Sequence, residues 1–262
     1  MEKAGEEKTG TLTRPDGNTI AWMREVPGKA AGPTGLVWFG GFKSDMTGTK
    51  AQAVAAWARR AQRDLTRFDY FAHGASSGDF TDGTITRWRD DAWAVIDELT
   101  TGPLVLIGSS MGGWISLLAA LSRPERVKAL LLIAPAPDFT EELMWKGFTP
   151  EIRETIMREG VYEEPSDYDP EPYRITRQLI EDGRRHLLLG DKIPLTFPVR
   201  ILQGMKDPDV PYAHALRLVD ALASDDVILH LKKDGDHRLS EPDDIATLTT
   251  ALEKLLADLE KS

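Results

Sequence analysis

The stretch Gly108-Ser109-Ser110-Met111-Gly112-Gly113 lies between two apolar segments. The run 104–107 before it is continuously apolar, as in a strand that is buried on both faces of a sheet. The segment 114–121 after it has the composition of a buried helix. A strand that passes through G-x-S-x-G directly into a helix is typical of a nucleophile elbow, the sharp turn that presents a catalytic serine. The sequence therefore predicts such a turn at residues 108–113.

Two adjacent serines occupy this turn, and the glycine spacing selects between them. A sharp turn brings together the backbones two residues before and two residues after the nucleophile, so both positions need small residues. Ser110 has Gly108 and Gly112 at these positions, whereas Ser109 would have two larger side chains. We therefore predict Ser110 as the nucleophile.

A second G-x-S-x-G match lies at residues 74–78 and would place Ser76 at the nucleophile position. The polar loop 79–83 follows it, whereas an elbow requires a helix at this point. We therefore predict that Ser76 is not a nucleophile. One alternative stays open for Ser110, a glycine-rich strand-to-helix turn that only packs closely or that binds a phosphate group.

The overall composition restricts the class of protein. The 262 residues are 41% hydrophobic and 28% charged, which is typical of a globular chain with one sizeable core. The formal net charge of −10 argues against a nucleic-acid partner, because the phosphate backbone would be repelled. The chain contains no cysteine, which excludes disulfides, thiolate zinc sites and a thiol nucleophile.

Membrane-spanning and targeting patterns are not recognisable in the sequence. No apolar run approaches the length that crosses a bilayer. Residues 1–8 lack the apolar core of a signal peptide and are too acidic for a transit peptide. We therefore expect a cytoplasmic location.

Strand and helix patterns alternate along most of the chain, after an amino-terminal hairpin predicted at 9–14 and 19–25. Short apolar runs predict strands at 35–39, 67–71, 104–107, 127–133, 199–203 and 227–231. Apolar residues at helical spacing predict helices at 51–65, 86–99, 114–121, 212–222 and 243–259. Such alternation forms a mostly parallel sheet with helices on both faces, so we predict an α/β fold.

Residues 135–198 interrupt this alternation. They contain frequent prolines, show no strand pattern, and favour short helices at 141–148 and 150–160. Within 138–192, 14 acidic residues stand against 8 basic ones, so much of the negative charge of the molecule falls here. We therefore predict a helical lid at 135–198, inserted into an α/β core that is formed by 1–134 and 199–262.

A catalytic serine needs a base that takes its proton and an acid that orients the base. In a chain with a nucleophile elbow, the acid and the histidine follow the serine in that order, each after a later strand. Asp207 follows the strand predicted at 199–203, in a turn that also contains Asp209, and His237 follows the strand at 227–231. We predict Asp207 as the acid, with Asp209 as the reserve candidate, and His237 as the base.

Other residues fit these roles less well. Asp236 is adjacent to His237, and neighbouring side chains usually diverge too far for one to orient the other. His230 lies within a predicted strand, where a packed or edge histidine is expected. Three further histidines do not follow a strand at the required place, namely His73, His186 and His214. A turn aspartate at Asp207 and a surface histidine at His237 remain as alternatives.

Acyl transfer also needs two backbone N–H groups that stabilise the negative oxygen of the tetrahedral intermediate. Each such donor contributes a rate factor of roughly a hundred to a thousand. The residue after the nucleophile supplies one donor, which is Met111 here. The loop after an early strand supplies the other, and in Gly40-Gly41-Phe42 we predict the amide of Phe42 as this donor.

Together these residues resemble the alpha/beta-hydrolase superfamily. The resemblance is specific for one branch, the mitochondrial abhydrolases that act as palmitoyl-protein thioesterases and acyl-glucuronide esterases. It runs from about Leu36 to the carboxyl terminus and includes Asp236-His237-Arg238. Its other matching segments are Gly41-Phe42-Lys43-Ser44-Asp45-Met46-Thr47-Gly48-Thr49-Lys50-Ala51, Phe68-Asp69-Tyr70, 108–114 and Gly204-Met205-Lys206-Asp207. One difference is Gly40-Gly41-Phe42, where superfamily members commonly have His-Gly or Pro-Gly.

We therefore predict a serine hydrolase that cleaves carboxylic esters or thioesters through Ser110, Asp207 and His237, with no metal ion or cofactor. The expected partner is a small-molecule acyl ester or thioester, and the oligomeric state is left open. Two alternatives remain open. One is a hydrolase of another bond, such as a peptidase or a carbon–carbon bond hydrolase, and the other is a catalytically silent small-molecule binding module.

Overall fold

A computed structural model describes residues 6–28, 32–165 and 172–261 of the chain. The predictions for residues 1–8 and 135–198 therefore fall partly outside the described residues. The strands are β1 (Glu6–Thr13), β2 (Thr19–Val26), β3 (Gly35–Phe39), β4 (Leu65–Phe68), β5 (Leu104–Ser109), β6 (Val127–Ile133), β7 (Val161–Glu164), β8 (Tyr173–Thr176), β9 (Val199–Gly204) and β10 (Val227–Lys232). The α-helices are α1 (Thr49–Ala61), α2 (Ile85–Leu99), α3 (Met111–Ser122), α4 (Pro150–Glu159), α5 (Arg177–Gly183), α6 (Tyr212–Ala221) and α7 (Pro242–Leu259). None of the helices in the described ranges is both long enough and apolar enough to cross a bilayer.

Eight of these strands form one sheet in the order β1-β2-β4-β3-β5-β6-β9-β10. The strand β2 pairs antiparallel with β1 and with β4. The remaining neighbours in this sheet pair in parallel, and β7 and β8 form a separate antiparallel pair. The predicted α/β fold with a mostly parallel sheet is therefore confirmed.

The two faces of the sheet bury separate cores, because successive strand residues point to opposite sides. On one face, Val37 and Phe39 of β3 belong to a core that includes residues of α2, α3 and α6. On the other face, Leu36 and Trp38 pack with residues of α1 and α7. Helices thus cover both faces, and the carboxyl ends of the parallel strands are left as the edge from which polar loops emerge.

One boundary between a helix and a strand differs from the prediction. The helix predicted at 51–65 ends at Ala61, because Gln62 adopts a left-handed backbone with φ 52°. Leu65 is completely buried in β4, so its apolar side chain belongs to the strand rather than to the helix. As a result, the strand predicted at 67–71 begins two residues earlier and ends at Phe68.

The predicted absence of strands from 135–198 is wrong, since β7 and β8 lie there. Each has only four residues, and so short a strand carries too little alternation to stand out in a sequence. The helix predicted at 150–160 is confirmed as α4, whereas the one predicted at 141–148 is a π-helix at Thr140–Trp145. Part of this segment has a small core of its own, formed by Phe148, Ile156, Ile175 and Ile180.

Candidate active site

Ser110 occupies a strained turn between β5 and α3. Its φ of 53° and ψ of −118° lie in a region that residues with a side chain rarely adopt. The Ser110 N–H donates to the carbonyl of Ile133 at 2.9 Å, and the Ser110 carbonyl accepts from the N–H of Gly113 at 2.8 Å. These backbone hydrogen bonds to β6 and to the first turn of α3 stabilise the strained conformation.

The glycines on either side of Ser110 allow backbone segments to approach each other closely. A Cβ atom on Gly108 would lie 2.5 Å from the carbonyl oxygen of Gly112. A Cβ atom on Gly112 would lie 2.1 Å from the carbonyl oxygen of Phe39, at the end of β3. Both distances are too short for any side chain, so the backbone requires glycine at these two positions.

The structure brings Ser110, His237 and Asp207 into one chain of hydrogen bonds. The Ser110 hydroxyl donates to His237 Nε2 at 3.1 Å, and His237 Nδ1–H donates to Asp207 Oδ2 at 2.8 Å. The Asp207 side chain is completely buried, whereas the His237 side chain is 19% exposed. The three residues lie on the loops that follow β5, β9 and β10, at the carboxyl edge of the sheet.

Asp207 is held by donors on both carboxylate oxygens. Its Oδ1 accepts from the N–H groups of Asp209 and Val210, at 2.9 and 2.8 Å. Its Oδ2 accepts from Gln203 Nε2 at 3.1 Å in addition to the histidine. Sequence reasoning missed Gln203, and the signal was a polar residue near the carboxyl end of the otherwise largely apolar strand β9.

The alternative acids have other surroundings. Asp209 shares the turn of Asp207 and donates its N–H to that residue, while Asp236 Oδ1 accepts from the N–H of Leu239 at 2.9 Å. Among the described residues, Asp207, Asp209 and His237 offer potential metal-ligand atoms within 4.8 Å of one another. Because Asp207 and His237 already bond to each other, we assign no metal site to this group.

The segment 40–42 lies against the elbow, as the predicted role of Phe42 requires. A Cβ atom on Gly41 would be 3.5 Å from Ser110 Cβ. The ring of Phe42 makes edge-to-face contacts with four aromatic rings, those of Phe80, Trp88, Phe139 and Tyr173. These contacts fix the position of the loop beside Ser110.

The next residue of this loop depends on a buried histidine. Lys43 has a φ of 54°, and its N–H donates to His73 Nε2 at 3.1 Å. The other ring nitrogen, Nδ1–H, donates to the carbonyl of Phe71 at 3.0 Å. Burial lowers the pKa of His73 from 6.5 to about 4, so the ring is neutral at ordinary pH and can accept this hydrogen bond. Sequence reasoning assigned no role to His73, because its partner is thirty residues away.

A lysine connects helix α1 to the loop that carries His237. Lys50 Nζ donates to the carbonyl oxygen of Arg238 and to Ser240 Oγ. Burial lowers the pKa of Lys50 from 10.5 to about 8. The ammonium group thereby attaches the residue next to His237 to the first turn of α1.

A cavity of about 630 Å³ opens beside these groups and is lined by Ser110, Met111, Phe42 and His237. One set of lining residues is apolar and comes from the segment after β6, namely Ala136, Phe139, Leu143, Met144 and Phe148. A second set is charged, namely Lys43, Asp45, Lys50, Glu164, Asp209 and Arg238. The volume is typical of a site for a small organic molecule, and the lining offers both apolar and polar contacts.

A serine on a strained turn between a parallel strand and a helix, in a sheet of this topology, defines an alpha/beta hydrolase. The alpha/beta hydrolase fold family matches residues 50–163 of the chain. The mitochondrial palmitoyl-protein thioesterase ABHD10 of Pongo abelii is 37% identical over 249 residues, which cover 95% of this chain and 80% of that protein. The chain therefore belongs to the ABHD10 family of alpha/beta hydrolases, and the predicted branch is confirmed.

Two solved structures agree with this assignment. A putative hydrolase from Agrobacterium vitis S4 superposes with a TM-score of 0.90 at 43% identity, covering 97% of this chain and 99% of that one. The alpha/beta hydrolase domain-containing protein 10 from mouse superposes with a TM-score of 0.88 at 35% identity, covering 96% and 99%.

The expected cytoplasmic location is wrong on this comparison. The relatives of 36 and 37% identity are named as mitochondrial proteins, which contradicts the expectation. The expectation rested largely on the composition of residues 1–8, and so short a segment carries too little information to decide a compartment.

Proposed function

We propose that this protein hydrolyses carboxylic esters or thioesters through an acyl-enzyme intermediate on Ser110. The observation that carries the proposal is the continuous hydrogen-bond chain from the Ser110 hydroxyl through His237 to Asp207, with distances of 3.1 and 2.8 Å. A neutral imidazole in this position can take the hydroxyl proton as the oxygen attacks. The activity in the names of the ABHD10 relatives, thioester hydrolysis, supports the same chemistry.

In the first half of the reaction, Ser110 Oγ attacks the acyl carbon while its proton moves to His237 Nε2. Asp207 stabilises the resulting imidazolium and keeps its Nδ1–H oriented. The backbone amides of Phe42 and Met111 donate to the oxygen that becomes negative in the tetrahedral intermediate. His237 then gives the proton to the departing alkoxide or thiolate, and the carbon–oxygen or carbon–sulfur bond breaks.

In the second half, a water molecule takes the place of the leaving group. His237 accepts a proton from this water as its oxygen attacks the ester carbonyl on Ser110. Collapse of the second tetrahedral intermediate breaks the bond to Ser110 Oγ, which recovers its proton from His237. The carboxylic acid leaves, and the site returns to its starting state.

We further propose that residues 135–198 act as the lid of this site, as a unit separate from the core of 1–134 and 199–262. Part of the apolar lining of the cavity comes from this segment, through Phe139, Leu143, Met144 and Phe148. Such a lining fits the acyl chain of a substrate, whereas a folded protein surface could not enter a cavity of about 630 Å³.

Turnover of a matched substrate panel tests the proposed function. The panel consists of p-nitrophenyl esters of increasing acyl length, thioesters of the same acids, and the corresponding anilides. We expect turnover of esters and thioesters, with a preference among acyl lengths, and little turnover of anilides. Acid quenching during turnover should also trap a peptide that contains Ser110 with the mass of the acyl group added.

Two results would contradict this proposal. Activity confined to the anilides would indicate a peptidase-like hydrolase. Tight binding of the esters without turnover and without a trapped acyl group would indicate a silent binding module.

A further inference from the structure

A buried glutamine donates to the same carboxylate oxygen that orients His237. Gln203 is the second-last residue of strand β9 and is completely inaccessible to solvent. Its Nε2 lies 3.1 Å from Asp207 Oδ2, 2.9 Å from the carbonyl oxygen of Val210 and 3.1 Å from that of Gly204. The hydrogen-bond chain from Ser110 through His237 and Asp207 therefore continues to this amide.

The contacts of the amide fix which of its ends faces Asp207. The three neighbours of Nε2 are all acceptors, so a flipped amide would direct its oxygen at three other oxygens. In the observed orientation, Gln203 Oε1 is buried and accepts no hydrogen bond from the described residues. A buried acceptor without a donor is unfavourable. The oxygen end of the side chain is therefore unfavourably placed, whereas the nitrogen end donates to Asp207 and to the adjoining turn.

We propose that Gln203 is a positioning residue for the reaction, whose amide holds Asp207 in the rotamer that faces His237 and offsets part of its negative charge. This inference rests on the proposed function, because it assigns Asp207 and His237 the roles given above. Gln203 does not touch the reacting atoms, since it acts through Asp207.

The proposal predicts a change in the pH dependence of the rate. The N–H of Gln203 places partial positive charge against Asp207 Oδ2, which weakens the attraction of this carboxylate for a protonated His237. Without that donor, the ring would keep its proton to higher pH. Since only the neutral ring can accept the Ser110 proton, the acid-side midpoint of the kcat/KM profile should move upward.

Two variants test this prediction on hydrolysis of a short p-nitrophenyl ester. Gln203→Met removes the donor at similar side-chain length, and we expect kcat to fall by about tenfold with KM nearly unchanged. The acid-side midpoint should rise by roughly half a unit. Gln203→Glu can donate to Asp207 only while the introduced carboxyl is protonated. We expect this variant to approach wild-type activity at low pH and to lose it along a new alkaline limb.

A matched control separates these effects from a general loss of buried hydrogen bonds. Thr100→Val removes a buried hydroxyl that donates to the carbonyl of Ile96 and accepts from the Arg126 guanidinium, near the opposite end of β5. We expect the Thr100→Val protein to have a lower free energy of unfolding and an unchanged pH profile of kcat/KM. The variants leave in place the other titratable groups around the network, namely Lys50, Glu164, Asp209, His230, Lys232, Asp236, Arg238 and Asp244.

The outcomes distinguish the inference from the function on which it rests. An upward midpoint in Gln203→Met or an alkaline limb in Gln203→Glu supports the inference, and the second variant is sufficient if the first does not fold. If the folded variants keep the wild-type midpoint of the kcat/KM profile and show no new alkaline limb, the inference is overturned. Gln203 would then have only a structural role. A wild-type protein that does not turn over any ester or thioester would instead refute the proposed function.

Discussion

The two G-x-S-x-G turns of this chain share a sequence pattern and differ in what surrounds the serine hydroxyl. In the elbow, the hydroxyl of Ser110 faces His237 at 3.1 Å and lines the cavity. In the turn at 74–78, the hydroxyl of Ser76 donates to the carbonyl of Asp69 at 2.6 Å and accepts from the N–H of Ala21 at 2.8 Å. The Ser76 hydroxyl therefore joins a loop to strand β2.

The glycines of the two turns also serve different contacts. In the elbow, Gly112 lets one backbone approach another, the carbonyl of Phe39. In the other turn, Gly74 has a φ of 47° and lies against the carboxylate of Asp69, and Gly78 has a φ of 122° and lies against the ring of Phe71. The pattern therefore specifies a tight turn, and the chemistry depends on which residues the rest of the fold brings to the serine.

The largest difference between the turns should appear in activity. Ser110→Ala removes the proposed nucleophile, so we expect kcat for ester hydrolysis to fall by at least about a thousandfold. Ser76→Ala should retain activity close to that of the wild type. Initial rates on one p-nitrophenyl ester check both expectations, and equal losses in the two variants would contradict the distinction between the turns.

The next largest effect should follow from substitution of the elbow glycine. Gly112→Ala places a methyl group 2.1 Å from the Phe39 carbonyl oxygen, so the backbone must move. We expect a loss of about 3 kcal/mol in the free energy of unfolding, together with most of the activity. Gly190→Ala is the matched control, because a Cβ atom there would meet no atom of the described part of the chain within 4 Å. Urea denaturation of both variants is the measurement, and a Gly112→Ala protein as stable as its control would refute the close approach.

A smaller effect concerns His73, which precedes the second turn and supports the loop beside Ser110. Burial lowers its pKa from 6.5 to about 4 in the folded protein, so folding favours the neutral ring. The associated stability is present above pH 6.5 and is lost as the pH falls toward 4. The variant His73→Gln can accept the Lys43 N–H but cannot titrate. Between pH 7.5 and pH 5, we expect the wild type to lose about 2 kcal/mol more of its free energy of unfolding than this variant loses.

Urea denaturation at several pH values measures this difference directly. Parallel stability curves for the wild type and His73→Gln over this range would show that His73 is not buried as a neutral ring.

The smallest effect should be on the stability contributed by Ser76. Ser76→Ala leaves the N–H of Ala21 without the hydroxyl acceptor, in a residue that is only 5% exposed. We expect the free energy of unfolding to fall by about 1–2 kcal/mol. Thermal or urea unfolding provides the measurement, and an unchanged stability would mean that this hydroxyl does not join the loop to β2.

The sheet and the placement of Ser110, Asp207 and His237 could be predicted because both depend on order along the chain. Parallel strands leave their carboxyl ends at one edge, so residues that follow successive strands meet there. Contacts between loops could not be predicted in this way. His73 and Lys43 meet only because two loops pack together, and the rotamer of Gln203 depends on the turn opposite it.

The remaining errors arose where the local signal was weak. The four-residue strands β7 and β8 are too short to show an alternating pattern. The boundary near Leu65 was misplaced because apolar residues of a helix end and of a strand start adjoin there.

Peptide mapping after reaction with a fluorophosphonate probe tests the central distinction most directly. The probe forms a covalent bond with a serine whose hydroxyl is activated by a neighbouring base. We predict stoichiometric labelling of the folded wild type at Ser110, no label at Ser76, and no labelling of Ser110→Ala. A folded wild type that remains unlabelled, or a label that persists in Ser110→Ala, would contradict the account.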